Sequence, residues 1–200
     1  MSTLNKNLII SDFDNTFYDF KKLDNEVIKQ IFKGHKRLLM MDNFLWKLNK
    51  LGIVGNSMNG LKLRFLIYSI ITVFSKSHIK YSYIYTEYET LYKAFAKKEY
   101  DKNKFVIEIL NKKGYEFVIL TNNKFASELK IKNIVYSKSK RKFLKTHIPV
   151  YLLGDNYWDD YRNCPKGTIY INVGNGIVSK VFKKNIFTID NVAEIFTVIK

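Results

Sequence analysis

Residues 7–16 read Asn-Leu-Ile-Ile-Ser-Asp-Phe-Asp-Asn-Thr, a short apolar run that stops at two carboxylates, Asp12 and Asp14. Two later stretches repeat the pattern. Phe117-Val118-Ile119-Leu120 runs into Thr121-Asn122-Asn123, and Val150-Tyr151-Leu152-Leu153 runs into Gly154-Asp155-Asn156. Aliphatic runs without alternation are the signature of strands buried on both faces of a parallel sheet. Ligands of such sheets bind beyond the carboxyl ends of the strands, so the three polar clusters should meet at one site. Residues 167–173 read as a further strand and 186–189 as a last short one. Between these lie helical patterns at 104–113, which stops at Gly114, at 140–146, and at 191–200. The alternation predicts an α/β, doubly wound, parallel-sheet core.

Residues 19–100 break that alternation. They read as four helices, at 24–32, 38–51, 60–74 and 83–99, with no proline to interrupt them, since Pro149 and Pro165 lie elsewhere. The expected organisation is therefore a core made of 1–18 and 101–200, with a mainly α-helical insertion at 19–100. The most apolar stretch, 65–74, is far shorter than the roughly 20 residues a membrane span requires. It reads as a buried helix of the insertion or core, and no membrane partner is expected. The first apolar stretch is too short for a secretory signal, which places the expected protein in the cytoplasm.

The formal net charge is +16, from 34 Lys+Arg against 18 Asp+Glu. Such a balance suits nucleic acid. However, 30 of the 34 basic residues are Lys, and Lys, Asn and Ile together supply 72 of the 200 residues. An AT-rich coding sequence produces this bias without selection for charge, and Arg, the better bidentate phosphate ligand, is scarce. Lys36, Arg37, Lys62 and Arg64 read as a solvated helix face of the insertion, with steering of an anionic substrate as the alternative. One cysteine, Cys164, and three scattered histidines exclude a disulfide framework and a thiolate or histidine zinc site.

Asp12 and Asp14, brought together at a strand end, cannot both ionise cheaply without a cation. Asp155 adds a third carboxylate, and such a set suits Mg²⁺, a hard ion that takes carboxylate and phosphate oxygens. A carboxylate beside a metal can also act as a nucleophile and carry a phosphoryl group. That chemistry needs a second carboxyl group as acid and base, with a hydroxyl or amide and a cation to hold the phosphoryl oxygens. Thr121, Asn122 and a lysine among Lys138, Lys140 and Lys142 supply these types. Asn15 and Asn123 read as turn formers, as does Gly174-Asn175-Gly176. Trp158 and Trp46 read as packing residues.

The motifs DFDNT, TNN and GDNYWDD, each after a strand and in this order, resemble those of the haloacid dehalogenase (HAD) superfamily over residues 5–18 and 101–180. The resemblance implies a HAD-like Rossmannoid core and a phosphatase mechanism. Asp12 corresponds to the nucleophile and Asp14 to the general acid and base. Thr121 corresponds to the phosphoryl-binding hydroxyl, and Lys140 is the favoured choice for the motif lysine. The implied Mg²⁺ ligands are Asp12, the main-chain carbonyl of Asp14, and Asp155, supported by Asp159, with Asp160 as the longer-spaced variant. The long gap between Asp14 and Thr121 implies a helical cap in the C1 position, of the kind found on small-metabolite phosphatases. The expected function is Mg²⁺-dependent hydrolysis of a small phosphorylated metabolite through an aspartyl-phosphate. The alternatives are a nucleic-acid end phosphatase or nucleotidase and, in another class, a non-catalytic phosphate-binding module.

Overall fold

The computed structural model describes residues 4–50, 58–74, 79–156, 160–174 and 186–199. Among the described residues six strands form one sheet in the order β3-β2-β1-β4-β5-β6, and each of their pairings is parallel. They are β1 (Leu4–Ser11), β2 (Glu116–Thr121), β3 (Ile134–Tyr136), β4 (Ile148–Gly154), β5 (Ile169–Val173) and β6 (Phe187–Ile189). Adjacent residues of a strand face opposite sides of the sheet, and Ile9 and Ile10 of β1 are both fully buried. Both faces of the central strand are therefore covered, as its unbroken apolar run requires. On one face Leu8, Ile10, Leu120, Leu152 and Tyr170 form a cluster with Leu144 of α6 (Lys140–Thr146).

The chain divides into two compact units, Met1–Phe20 with Ala96–Lys200, and Lys21–Phe95. The first holds the sheet. The second is built from α1 (Phe20–Ile31), α2 (Lys36–Lys50), α3 (Met58–Phe74) and the start of α4 (Tyr81–Lys112). The sequence suggests separate helices at 83–99 and 104–113, but α4 is one helix of 32 residues. The intervening Tyr100–Asn103 stretch contains no Gly or Pro to stop it, and Lys97–Asp101 and Lys102–Glu99 pairs bridge the turn. The expected boundary at residue 101 thus falls inside a helix. β3 and the one-turn α5 (Lys124–Ser127) are too short to show a period. The last segment is a 3-10 helix at Val192–Thr197, shorter than the expected α-helix.

Two expectations for the helical unit are corrected. Arg64 lies on no solvated face. It is buried, with Nη1 and Nη2 donating to Asp24 at 2.9 and 2.8 Å. Its Nε donates to Asp42 at 2.9 Å and to the Tyr68 hydroxyl at 2.7 Å. Tyr88 donates to Asp24 at 2.5 Å. One guanidinium fork thereby joins α1, α2, α3 and α4. Helix periodicity could not show this, because its carboxylate partners lie 22 and 40 residues away. Lys36, Arg37 and Lys62 are exposed. Nor is the 65–74 stretch wholly buried: Phe65, Tyr68 and Thr72 face inward, while Leu66, Ile70 and Val73 are about half exposed. No helix among the described residues is long and apolar enough to cross a membrane.

The Arg64 cluster carries a stability prediction. Removing one partner of a buried ion pair costs about 3–5 kcal/mol, because it leaves the other charge uncompensated. Arg64→Met leaves Asp24 and Asp42 both buried without their cation. Its denaturant midpoint should fall by that equivalent, whereas Lys62→Met, on the exposed side of the same helix, should be near neutral. Equal midpoints for the two variants would refute the structural role.

Candidate active site

The register of the sheet aligns the polar clusters before any side chain is considered. Ser11 of β1 pairs with Ile119 of β2 and with Leu153 of β4. Asp12 and Asp155, just past the ends of their strands, and Thr121, the last residue of β2, therefore stand at the same carboxyl edge. The main chain ties two of these exits together, since Asp12 N–H donates to Leu153 O at 2.9 Å.

The loop after β1 is fixed by aromatic packing. Phe13 and Phe17 are buried, and Phe17 contacts Tyr100 and Phe117. A tight turn closes with Phe17 N–H donating to Phe13 O at 2.9 Å, and Asn103 Nδ2 donates to Phe17 O at 2.9 Å. Asn15 takes φ +59°, left-handed backbone that Asn tolerates better than most residues. Its side chain accepts from Phe20 N–H at 3.1 Å, so it forms the turn as its residue type suggests. With its loop anchored, Asp12 is held at both oxygens. Phe13 N–H donates to Oδ1 at 2.7 Å, and Lys140 Nζ lies 2.7 Å from Oδ2.

Lys140 begins α6, whose N-cap is Ser139. The lysine is buried, and its ammonium bridges Asp12 to Asp160, 2.8 Å from Asp160 Oδ1. Lys138 and Lys142 are exposed. Burial disfavours the Lys140 charge, but Asp12 and Asp160 outweigh it and hold the ammonium above its usual pKa. Asp160 is itself buried and closes the turn after β4: its N–H donates to Asn156 O at 3.1 Å, and Asn156 N–H donates to its Oδ2 at 3.3 Å. This turn needs Gly154. A Cβ there would lie 2.5 Å from Asp160 Cγ and 2.6 Å from Asp160 Cβ, too close for either to accommodate. Asp159, Trp158 and Asn175-Gly176 lie outside the described residues, as does the Trp46 side chain.

Carboxylate oxygens of Asp12, Asp155 and Asp160 all lie within 4.8 Å of one another. Three carboxylates against one ammonium leave two negative charges when all are ionised, the charge that one divalent cation neutralises. Their oxygen-only chemistry fits a hard cation. Asp155 registers the crowding. Its burial, then Asp12 and Asp160 beside it, push its carboxyl up to about 8. Burial likewise raises Asp160, with Lys140 opposing the shift.

The Asp14 carboxylate stands outside this trio. Asn123 Nδ2 donates to its Oδ2 at 2.9 Å, and the Tyr18 hydroxyl donates to Oδ1. Asn123 does two jobs: its Oδ1 accepts from Phe125 N–H at 3.0 Å and caps α5, while its amide nitrogen reaches across to Asp14. Thr121 is buried, and its Oγ1 accepts from Asn123 N–H at 3.0 Å, which leaves the hydroxyl proton to donate. Asn122 is exposed. Tyr18 and Asn123 were not singled out as site residues from sequence. For Tyr18 a weak signal existed, its spacing of four from Asp14. For Asn123 the signal was its place in the polar cluster that closes β2, although 109 residues separate it from Asp14. A cavity of about 360 Å³ adjoins Asp155 and is lined also by Thr16, Tyr18 and Asn103.

No family model and no curated protein matches the sequence. Solved structures do. YfnB from Bacillus subtilis, a HAD-hydrolase described with magnesium bound, superposes with a TM-score of 0.59 at 11% identity, over 97% of this chain and 98% of its own. This chain has the haloacid dehalogenase fold. A HAD-like hydrolase from Bacteroides fragilis gives 0.53 at 14% identity, over 96% and 100% of the two chains. One from Streptococcus pneumoniae gives 0.50 at 16%, over 98% and 99%. The HAD-like architecture expected from the three strand-end motifs is thus the one the chain adopts.

Proposed function

We propose that this HAD-fold protein is a Mg²⁺-dependent phosphatase that hydrolyses a small phosphate monoester through an aspartyl-phosphate at Asp12. One observation carries the reading. Asp12 sits at the carboxyl end of the central strand with its Oδ2 2.7 Å from a buried ammonium, and one of its oxygens lies within 4.8 Å of an oxygen of each of two further carboxylates. A structural ion pair does not need the two extra carboxylates, whereas a centre that handles a cation and a phosphoryl group does.

In this mechanism an Asp12 oxygen attacks phosphorus, and the bond from phosphorus to the leaving oxygen breaks. Asp14 gives its proton to that oxygen, then takes one from the water that attacks the aspartyl-phosphate, releasing inorganic phosphate and restoring Asp12. Tyr18 and Asn123 hold Asp14 for both transfers. Lys140 orients Asp12 and offsets charge on the phosphoryl oxygens, and the Thr121 hydroxyl is placed to donate to one of them. Asp12, Asp155 and the Asp14 carbonyl would hold Mg²⁺, with Asp160 supporting them. Bound there, the ion supplies Lewis-acid stabilisation of phosphoryl charge. The helical unit between the first loop and β2 acts, on this reading, as the cap that selects the substrate.

The test is hydrolysis of an aryl phosphate by the full chain. Turnover should require Mg²⁺ and stop with chelator, while a folded protein that binds Mg²⁺ and turns over no phosphomonoester would contradict the proposal. The +16 charge favours one second reading, a nucleic-acid end phosphatase. An end-phosphorylated oligonucleotide preferred over small phosphates, with a steep salt dependence, would select it.

Mg²⁺ affinity should depend on pH in a defined direction. Because the Asp155 carboxyl is pushed up to about 8, the folded metal-free protein favours its protonated form. Ionising it as pH rises toward 8 lowers the stability of that state, and a bound cation reverses the loss. The rise in Tm on adding Mg²⁺ should therefore be larger at pH 8 than at pH 6, with protons released on binding at pH 7. A rise that is equal at both pH values, or larger at pH 6, would contradict this.

A further inference from the structure

On the sheet-bearing unit, a second cavity of about 360 Å³ lies between α6 and the segment that follows Asp160, separate in its lining from the one beside Asp155. Arg141 and Lys145 reach it from α6, where a spacing of four puts them on one helix face. Arg162 and Asn163 reach it from the short 3-10 turn at Tyr161–Asn163. Leu144 and Ile148 provide apolar wall. Among the described residues lining it there is no carboxylate.

The composition makes the arginines informative. The chain has four Arg against 30 Lys, so a basic surface produced by codon bias alone would be lined with Lys. One Arg, Arg64, is sealed in the helical unit. Two of the other three, both exposed, line this one cavity. A guanidinium offers a planar fork that matches phosphate oxygens in pairs, which an ammonium does not. The volume lies within the range of small-molecule sites.

We propose that this cavity is a phosphate-binding site, distinct from the centre at Asp12, that takes a phosphate group through the two guanidinium forks of Arg141 and Arg162. Its position gives it a consequence. Arg141 follows Lys140, and Arg162 lies two residues beyond Asp160, so the same two segments present one pair to the cavity and the other pair to the active centre. An anion bridging the forks fastens α6 to the 3-10 turn, and with it the Lys140–Asp160 contact of 2.8 Å.

Calorimetric titration of the full chain with inorganic pyrophosphate tests this, in EDTA and at physiological salt, where the metal-free active centre is net negative. Wild type should bind one equivalent. Arg141→Ala/Arg162→Ala should weaken binding by about 10-fold or more, the loss expected for charge-assisted hydrogen bonds. Lys36→Ala/Arg37→Ala, which removes the same charge from the helical unit, should change it by less than about 2-fold. Pyrophosphate should also raise the Tm of wild type and not that of the arginine double variant. A parallel titration with a short single-stranded oligonucleotide identifies the source of the phosphate. Tighter binding than pyrophosphate, lost with the same two arginines, assigns a nucleic-acid strand, and binding of pyrophosphate alone assigns a small molecule. No binding of either probe to wild type, or equal weakening in both double variants, overturns the proposal.

Discussion

Asp12→Asn should abolish turnover while leaving the fold intact. Loss of a covalent nucleophile in a preorganised site costs on the order of 10⁴–10⁶-fold in kcat, and the amide cannot carry the phosphoryl group. The structural cost should be small. Asparagine keeps an oxygen for Phe13 N–H, which donates to Asp12 Oδ1 at 2.7 Å, and Lys140 retains Asp160 as its ionic partner. The Tm should stay within a few degrees of wild type. Activity reduced by less than about 10-fold would move the chemistry away from Asp12 and leave the carboxylate trio a structural feature.

Lys140→Met should damage both activity and stability. The ammonium is buried and touches two carboxylates, with Asp155 close to both. Without it, three carboxylates share one site with no countercharge. Truncating one partner of such a buried pair costs about 3–5 kcal/mol, and kcat should fall about 10²–10³-fold, as when a donor to a developing anion is lost. Two further observations separate this from a simple loss of packing. Mg²⁺ should recover part of the lost Tm by supplying the missing positive charge, and Asp160→Asn in the same chain should recover part of it by removing an unpaired carboxylate. Lys138→Met and Lys142→Met, both exposed positions, should leave stability and activity near wild type. A Lys140→Met protein as stable and active as these controls would contradict the assignment.

The sheet was legible because each central strand is an unbroken aliphatic run closed by polar residues. That pattern reports burial on both faces, and the strand ends then locate the site. What escaped the sequence is mostly what long-range contact decides. Whether Arg64 points to water or into a carboxylate nest depends on Asp24 and Asp42 on other helices. Asn123 resembles any turn asparagine until β1 and β2 bring it to Asp14. The choice of Lys140 among three lysines rested on its place at a helix start. Its burial between Asp12 and Asp160 is a property of the packed α6, which no local period encodes. Short elements escaped for a different reason: the three residues of β3 and four of α5 are too few to display periodicity.

The most direct test of phosphoryl transfer to Asp12 is the stereochemical course at phosphorus, followed with an aryl phosphorothioate made chiral by one heavy oxygen and hydrolysed in water of a third oxygen isotope, with Mg²⁺ present. If Asp12 is the nucleophile, phosphorus is displaced twice in line, first by Asp12 and then by water, and the released thiophosphate keeps the configuration of the substrate. If water attacks the substrate directly, the single displacement inverts it. Inversion would contradict the account.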